Sequence, residues 1–282
     1  MTSIVAWVGV DQRKPASLYI ASDSRITWDE RDRWDHGRKS FASALRPHIF
    51  GYWSDVLFPA LALPTVIQQL DDGFLSEDRG DVGQAAYERI RALWATYPHA
   101  HRRSFGILHG FRTGEGMACE FKLTVTFFDA ATDRWSFEPI AIPNTSAFLQ
   151  IQGSGGSSVR QAQSRWEASD AAGTSRAAFS AFTDALRAAE DPLSGGGPQL
   201  VGLYRKGPGR TFGTVFGGKR YFAGALVARD DPWSDTVEWR NELFERVDGA
   251  TAKRLDGAQL HARARPGARR TLADRSTTAD DN

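Results

Sequence analysis

The sequence contains few sulfur-containing residues and has almost no net charge. Its 282 residues include one cysteine, Cys119, and two methionines, and 35 basic side chains nearly balance 34 acidic ones. A single cysteine excludes an internal disulfide, and no Cys/His pattern has the spacing of a metal site. A net charge of +1 gives no general attraction to nucleic acid or to an anionic membrane, so we expect neither as a partner.

Long apolar runs are also missing. No window approaches the roughly 20 consecutive apolar residues that a membrane-spanning helix needs. The opening residues, MTSIVAWVGV, lack the basic segment that precedes the apolar part of a signal peptide. These two absences favour a cytoplasmic protein.

The order of apolar patterns predicts stacked layers of sheet and helix. Two β-rich runs, residues 3–10 and 17–23, predict a hairpin at the start of the chain, which would hold residue 2 at a sheet edge. Further strands are expected near residues 47–53, 104–110, 119–129, 134–141, 147–152, 198–207 and 219–227. The basic stretch RKSFASALR (38–46) is expected to be a solvated strand.

Helical spacing of apolar residues indicates the remaining elements. Helices are expected at residues 83–96, 157–168, 174–189 and 237–247. The segment 55–73 is compatible with a helix that Pro64 would break or kink. Because strands and helices alternate in blocks, we expect one α+β domain over residues 1–255. The polar residues 256–282 predict a disordered tail.

Thr2 offers an unusual chemical combination at the start of the chain. Aminopeptidases remove an initiator Met when the next residue is small, which would leave Thr2 with a hydroxyl and a free α-amine. Such an amine has a pKa of about 7.7–8.0, so part of it is neutral at physiological pH. A hydroxyl paired with a nearby base is a recognised nucleophile.

The residues that follow resemble the start of a mature proteasome β-subunit. In that family a catalytic threonine opens a strand, and the hairpin returns through a motif that reads Ser22-Asp23-Ser24-Arg25 here, with Lys39 sixteen residues after Asp23. The resemblance implies that Lys39 assists deprotonation of Thr2 and that Asp23 orients the lysine. It also implies that Thr27 aligns an extended peptide.

Two later motifs extend the resemblance. Gly153-Ser154-Gly155 is similar to the Gly-Ser-Gly turn of the family, and residues 191–196 (DPLSGG) match its Asp-x-x-Ser-Gly-Gly. The resemblance gives Ser154, Asp191 and Ser194 the role of buffering the proton of the terminal amine. A backbone N–H near Ser54 would form the oxyanion hole. No family motif covers residues 56–144.

The resemblance implies a fold and an activity. The expected fold is a four-layer αββα sandwich of the N-terminal nucleophile (Ntn) hydrolases, in a bacterial proteasome-like branch without a propeptide. The expected activity is threonine-type hydrolysis of peptides or unfolded proteins without a metal or cofactor, in a homo-oligomeric ring or spiral. A small-molecule amidase of the same fold and a non-catalytic scaffold that retains Met1 remain open as alternatives.

Overall fold

The computed structural model describes residues 2–28, 32–75, 81–228, 231 and 237–258. Most of the predicted tail therefore lies outside the described residues. The strands are β1 (Ser3–Val10), β2 (Pro15–Ser22), β3 (Ile26–Trp28), β4 (Asp32–Trp34), β5 (Ser40–Ala42), β6 (His48–Ser54), β7 (Phe105–Thr113), β8 (Glu120–Asp129), β9 (Arg134–Ile140), β10 (Ala147–Gly153), β11 (Gln199–Tyr204), β12 (Arg210–Phe216), β13 (Lys219–Phe222), β14 (Ala225–Leu226), β15 (Trp239–Asn241) and β16 (Arg246–Val247). The helices are α1 (Leu57–Asp71), α2 (Val82–Ala95), α3 (Gly156–Glu167) and α4 (Ser175–Ala188).

Two sheets contain most of these strands. The first has the order β10-β1-β2-β11-β12-β13-β14, and β15 joins it beside β12 and carries β16. The second has the order β5-β6-β7-β8-β9, while β3 and β4 form a separate ribbon. Neighbouring strands run antiparallel except for β12 and β15. Strand β1 pairs with both β10 and β2, so the start of the chain lies inside the first sheet and not at an edge.

Alternation along β1 explains why that strand is apolar throughout. Successive side chains of a strand point to opposite faces. Val5 and Trp7 pack in a core with residues of α3 and α4, whereas Ile4 and Ala6 pack in a core shared with the second sheet. A third core lies between the second sheet and helices α1 and α2. Strand β1 is therefore covered on both faces.

The segment predicted as a last helix forms strands instead. Residues 239–241 pair in parallel with β12, and the ring of Trp239 lies where a side chain at Gly213 would be. Phe244 has a φ of 61°, a left-handed conformation that an α-helix does not contain. Tertiary pairing therefore overrides the helical spacing of this segment.

Two smaller expectations also differ from the structure. Helix α1 is not broken at Pro64 but runs on to Asp71, because the proline is exposed and the carbonyl that loses its partner can be hydrated. The basic stretch 38–46 contains the short strand β5, but Lys39, Ser40 and Phe41 are buried in it. The sequence pattern does not reveal β12, because Gly213 interrupts its apolar residues.

Candidate active site

Thr2 lies directly before β1 and is completely buried. Within the described ranges, its hydroxyl oxygen has no hydrogen-bond partner. Gly153, at the end of β10, pairs with Ser3 and has a φ of 89°. A Cβ at position 153 would lie 1.7 Å from the Thr2 carbonyl oxygen. Only glycine therefore lets β10 approach the start of the chain this closely.

The carboxylate of Asp23 gathers four donors at the end of β2. Its Oδ1 accepts hydrogen bonds from the Ser3 backbone N–H at 3.0 Å and from the Lys39 ammonium at 2.8 Å. Its Oδ2 accepts from the backbone N–H groups of Arg25 at 3.2 Å and Gly195 at 3.0 Å. The Lys39 ammonium and the peptide group that follows Thr2 therefore meet at the same carboxylate oxygen.

The side chains of Lys39 and Asp23 are both 0% exposed. Burial lowers the pKa of Lys39 below its ordinary value, and the negative charge of Asp23 opposes this effect. A lysine with a lowered pKa accepts and returns a proton more readily near neutral pH. The pair is thus a buried acid–base group that shares one Asp23 oxygen with the N–H of the peptide that follows Thr2.

Gln199, the first residue of β11, fixes the backbone on both sides of this ion pair. Its side-chain oxygen accepts from the Lys39 backbone N–H at 2.9 Å and from the Ser40 N–H at 3.3 Å. Its amide nitrogen donates to the carbonyl oxygens of Asp23 at 3.1 Å and Gly37 at 2.7 Å. Gln199 is 1% exposed, so these bonds satisfy a buried amide that would otherwise be costly.

A second carboxylate, Asp191, binds two hydroxyl groups directly and a third through Ser194. Its Oδ2 accepts from the hydroxyls of Ser154 at 2.6 Å and Ser194 at 2.7 Å. The Ser3 hydroxyl donates to the Ser194 oxygen at 2.8 Å. Burial raises the pKa of Asp191, but the hydrogen bonds from Ser154 and Ser194 outweigh this and hold the pKa below its ordinary value. Ser3 connects this cluster to β1, the strand that follows Thr2.

Arg25 joins the two carboxylate clusters. Its guanidinium forms a two-point ion pair with Asp35, at 2.7 and 2.9 Å. The same group donates to the carbonyl oxygens of Pro192 at 3.1 Å and Ser194 at 3.3 Å. Because the Arg25 backbone also donates to Asp23, this residue holds the loop of residues 191–195 against the end of β2.

The structure thus brings five of the predicted site residues into two clusters joined at Ser3: Asp23, Lys39, Ser154, Asp191 and Ser194. Thr2 precedes this junction in the chain. Thr27 lies on the β3–β4 ribbon opposite Arg33. Ser54 ends β6 opposite Phe105, with a φ of 72°. Among the described residues, neither Thr27 nor Ser54 shares a hydrogen bond with the two clusters.

Sequence reasoning missed Ser3, Gln199 and Arg25 as members of the site. A polar first residue in the otherwise apolar strand QLVGLY was a usable signal for Gln199, because buried polar side chains need partners. Arg25 is the last residue of the motif Ser22-Asp23-Ser24-Arg25, but the motif alone does not indicate what its side chain does. Nothing in the pattern distinguished Ser3 from an ordinary strand residue.

The described ranges contain no group of three or more His, Cys, Asp or Glu side chains arranged to hold a metal ion. In the same ranges, no helix combines the length and the apolar character needed to cross a membrane.

Comparisons with known proteins define the class of fold. No family model matches the chain, and no curated protein matches it. The chain has a proteasome-like fold. This fold is shown by likeness to a Gly-1 mutant of Anbu from Hyphomicrobium sp. strain MC1, with 12% identity, coverage of 83% of this chain and 91% of that chain, and a TM-score of 0.51. Eukaryotic HslV from Trypanosoma brucei also matches, with 14% identity, coverage of 71% of this chain and 99% of that chain, and a TM-score of 0.46.

Proposed function

We propose that this protein is an amide hydrolase that uses Thr2 as an N-terminal nucleophile after removal of Met1. The observation that carries the proposal is the convergence of two groups on Asp23. The fully buried ammonium of Lys39 and the N–H of the Thr2–Ser3 peptide bind the same oxygen of that carboxylate. The Thr2 hydroxyl has no hydrogen-bond partner among the described residues, and an activated threonine requires a hydroxyl that a nearby base can deprotonate.

The proposed reaction has two halves. The Thr2 oxygen attacks the carbonyl carbon of an amide and passes its proton to the neutral α-amine or to neutral Lys39, and the N–H near Ser54 stabilises the resulting oxyanion. The C–N bond then breaks, the amine leaves with that proton, and an ester to Thr2 remains. Water attacks the ester, and the acid is released as the Thr2 hydroxyl forms again.

The Asp191 cluster has a supporting role in this proposal. The free α-amine of processed Thr2 would precede Ser3, whose hydroxyl connects to Ser194 and Asp191. A carboxylate with a lowered pKa stays negative at neutral pH and stabilises a protonated amine nearby. The hydroxyl groups of Ser3 and Ser194 can connect the amine to the carboxylate through a chain of hydrogen bonds.

The substrate and the assembly complete the proposal. The order of the three cores, with helices outside two facing sheets, supports a four-layer αββα sandwich over residues 1–255. We assign peptides or unfolded proteins as substrates, aligned as an added strand beside Thr27. A homo-oligomeric ring or spiral in the cytoplasm would restrict access to such extended chains.

The test is to replace Thr2 by alanine. Alanine is also small, so removal of Met1 stays possible, but the hydroxyl is gone. We expect Thr2→Ala to lose peptide hydrolysis and to lose the mass increase that a β-lactone or epoxyketone probe produces on the wild-type protein. Thr65→Ala, which changes an exposed threonine of α1, should keep both.

Two results would contradict the proposal. One is hydrolysis by folded Thr2→Ala at the rate of the wild-type protein. The other is an intact mass showing that protein purified from cells uniformly keeps Met1, which would favour the scaffold alternative.

A further inference from the structure

A polar cavity lies at the opposite end of the first sheet from Thr2. Its volume is about 610 Å³, which is within the range of small-molecule sites. Its wall includes Gly9 and Val10 at the end of β1, Tyr204 at the end of β11, and Ser175 at the start of α4. The strands β1 and β11 thus begin beside the candidate active site and end at this cavity.

Three arginines surround one glutamate in the cavity wall. Arg240 forms an ion pair with Glu238, and the guanidinium groups of Arg210 and Arg246 lie 3.6 and 3.7 Å from the same carboxylate. Tyr204 also donates its hydroxyl to Glu238, at 3.0 Å. One carboxylate cannot neutralise three guanidinium groups, so these four described side chains carry an excess of two positive charges.

The other acidic residue of the wall does not remove this excess. Asp11 lines the cavity but forms a two-point ion pair with Arg205, at 2.6 and 2.9 Å. Arg205 therefore neutralises Asp11, and the excess of two positive charges around Glu238 remains. Excess charge of one sign in a cavity with partly buried walls concentrates ions of the opposite sign.

The three arginines differ in exposure in a way that suits ligand binding. The side chain of Arg240 is 7% exposed and is fixed by the Phe244 carbonyl oxygen and the Tyr204 hydroxyl. Those of Arg210 and Arg246 are 50% and 54% exposed, so their donors can reach a group in the cavity. Guanidinium groups bind carboxylates and phosphates through two parallel hydrogen bonds.

Gly9 lets the hydroxyl groups of two serines lie close to β1 in the cavity wall. A Cβ at Gly9 would lie 2.5 Å from the Ser17 hydroxyl oxygen and 2.8 Å from that of Ser175. Both serines line the cavity and add neutral hydrogen-bonding groups beside the arginines. The two serines thus offer hydrogen-bond donors without adding negative charge.

We infer that this cavity is a binding site for a small oxyanion, a phosphate or carboxylate compound, held by Arg210 and Arg246 against the fixed Arg240–Glu238 pair. The site is separate from the proposed hydrolytic chemistry. It takes its ligand at the far end of the strands that hold Thr2 and Gln199.

Calorimetric titration of the full chain with pyrophosphate and with citrate, at constant ionic strength, tests this inference. We expect saturable binding of one equivalent of at least one probe, and the tighter probe identifies the ligand as phosphate or carboxylate. The double variant Arg210→Gln/Arg246→Gln should bind at least roughly tenfold more weakly, because it loses charge-assisted hydrogen bonds. Glu238→Gln should bind more tightly, since it removes the competing carboxylate.

Matched variants separate the site from general charge and from hydrolysis. Arg134→Gln, which removes an exposed arginine of β9 in the other sheet, should bind as the wild type does, and so should Thr2→Ala. If the double variant does not fold, Arg246→Gln alone serves as the weakened variant. The inference is overturned if neither probe binds saturably to the wild type, or if the folded arginine variants bind as tightly as Arg134→Gln.

Discussion

Two ion pairs lie at opposite ends of the β1–β2 hairpin and differ in burial. Lys39 and Asp23 are 2.8 Å apart with both side chains 0% exposed. Arg205 and Asp11 are 2.6 Å apart, with side chains 14% and 33% exposed. Removing charges from water costs several kcal/mol for each ion, so a buried pair rarely stabilises a fold more than apolar residues would. The comparison favours a chemical role for the buried pair and an ordinary structural role for the open one.

The largest expected effect comes from breaking the buried pair. Lys39→Met leaves the Asp23 carboxylate buried without its cation, which should lower the free energy of unfolding by about 3–5 kcal/mol. Hydrolysis should fall at least roughly 100-fold in the variant that remains folded, because an acid–base group is lost. Denaturant unfolding and peptide hydrolysis measure the two effects.

An exposed lysine provides the control for this variant. Lys219, on β13, is exposed, so Lys219→Met should change stability by less than about 0.5 kcal/mol. The double variant Asp23→Asn/Lys39→Met should recover part of the lost stability, since no buried charge remains. Equal losses in Lys39→Met and Lys219→Met would contradict the claim that burial makes the pair costly to break.

A third polar pair is buried but uncharged. His48 on β6 and His109 on β7 face each other, with ring nitrogens 3.1 Å apart. His109 stacks on Phe50 with ring centres 4.1 Å apart. The groups that act on His48 from neighbouring elements are Asp71, which raises its pKa, and Arg46, which lowers it. Burial is the largest effect and lowers the pKa of His48 to about 4.

The buried histidine pair predicts that the free energy of unfolding falls at acidic pH, by an amount between the effects expected at Lys39 and at Arg205. Above the ordinary histidine pKa of about 6.5, the imidazole is neutral in both the folded and the unfolded chain, so its titration does not lower the free energy of unfolding. As the pH falls from about 6.5 towards 4, the unfolded chain takes up a proton at His48 that the folded chain resists. The free energy of unfolding should drop by roughly 3 kcal/mol from His48 alone. Urea unfolding at pH 7 and at pH 4.5 measures the change.

Histidine variants separate the contribution of the buried pair from that of other groups that take up protons at acidic pH. His48→Gln/His109→Gln should lose less stability than the wild-type protein between the two pH values. His99→Gln, which changes an exposed histidine, should lose as much as the wild type. A double variant with the wild-type pH dependence would show that burial of the pair does not cause the sensitivity.

The fold was predictable where local pattern and tertiary pairing agree. The hairpin of residues 3–10 and 17–23 appeared as β1 and β2, since continuous apolar runs mark strands covered on both faces. The helical spacing of segment 237–247 is misleading because its pairing partner, β12, is itself not recognisable in a pattern that Gly213 interrupts. Alternation alone cannot reveal a strand whose stability comes from a distant neighbour.

The candidate site was predicted through its charged residues and less so through the residues that support them. The resemblance to proteasome β-subunits suggested Asp23 and Lys39 as well as Ser154, Asp191 and Ser194. Gln199 and Ser3 act through hydrogen bonds to residues distant in the chain, which no local pattern contains. Proximity of the Ser54 N–H to a bound substrate stays a prediction.

The smallest effect is expected at the open end of the hairpin. Arg205 holds the pKa of Asp11 well below its usual range, but solvent screens the pair. Arg205→Gln should therefore lower the free energy of unfolding by only about 1 kcal/mol and leave hydrolysis unchanged. Raising the salt concentration should weaken the Asp11–Arg205 pair but not the buried one, because screening acts on charges that water reaches. A loss in Arg205→Gln as large as in Lys39→Met would mean that burial does not distinguish the two pairs.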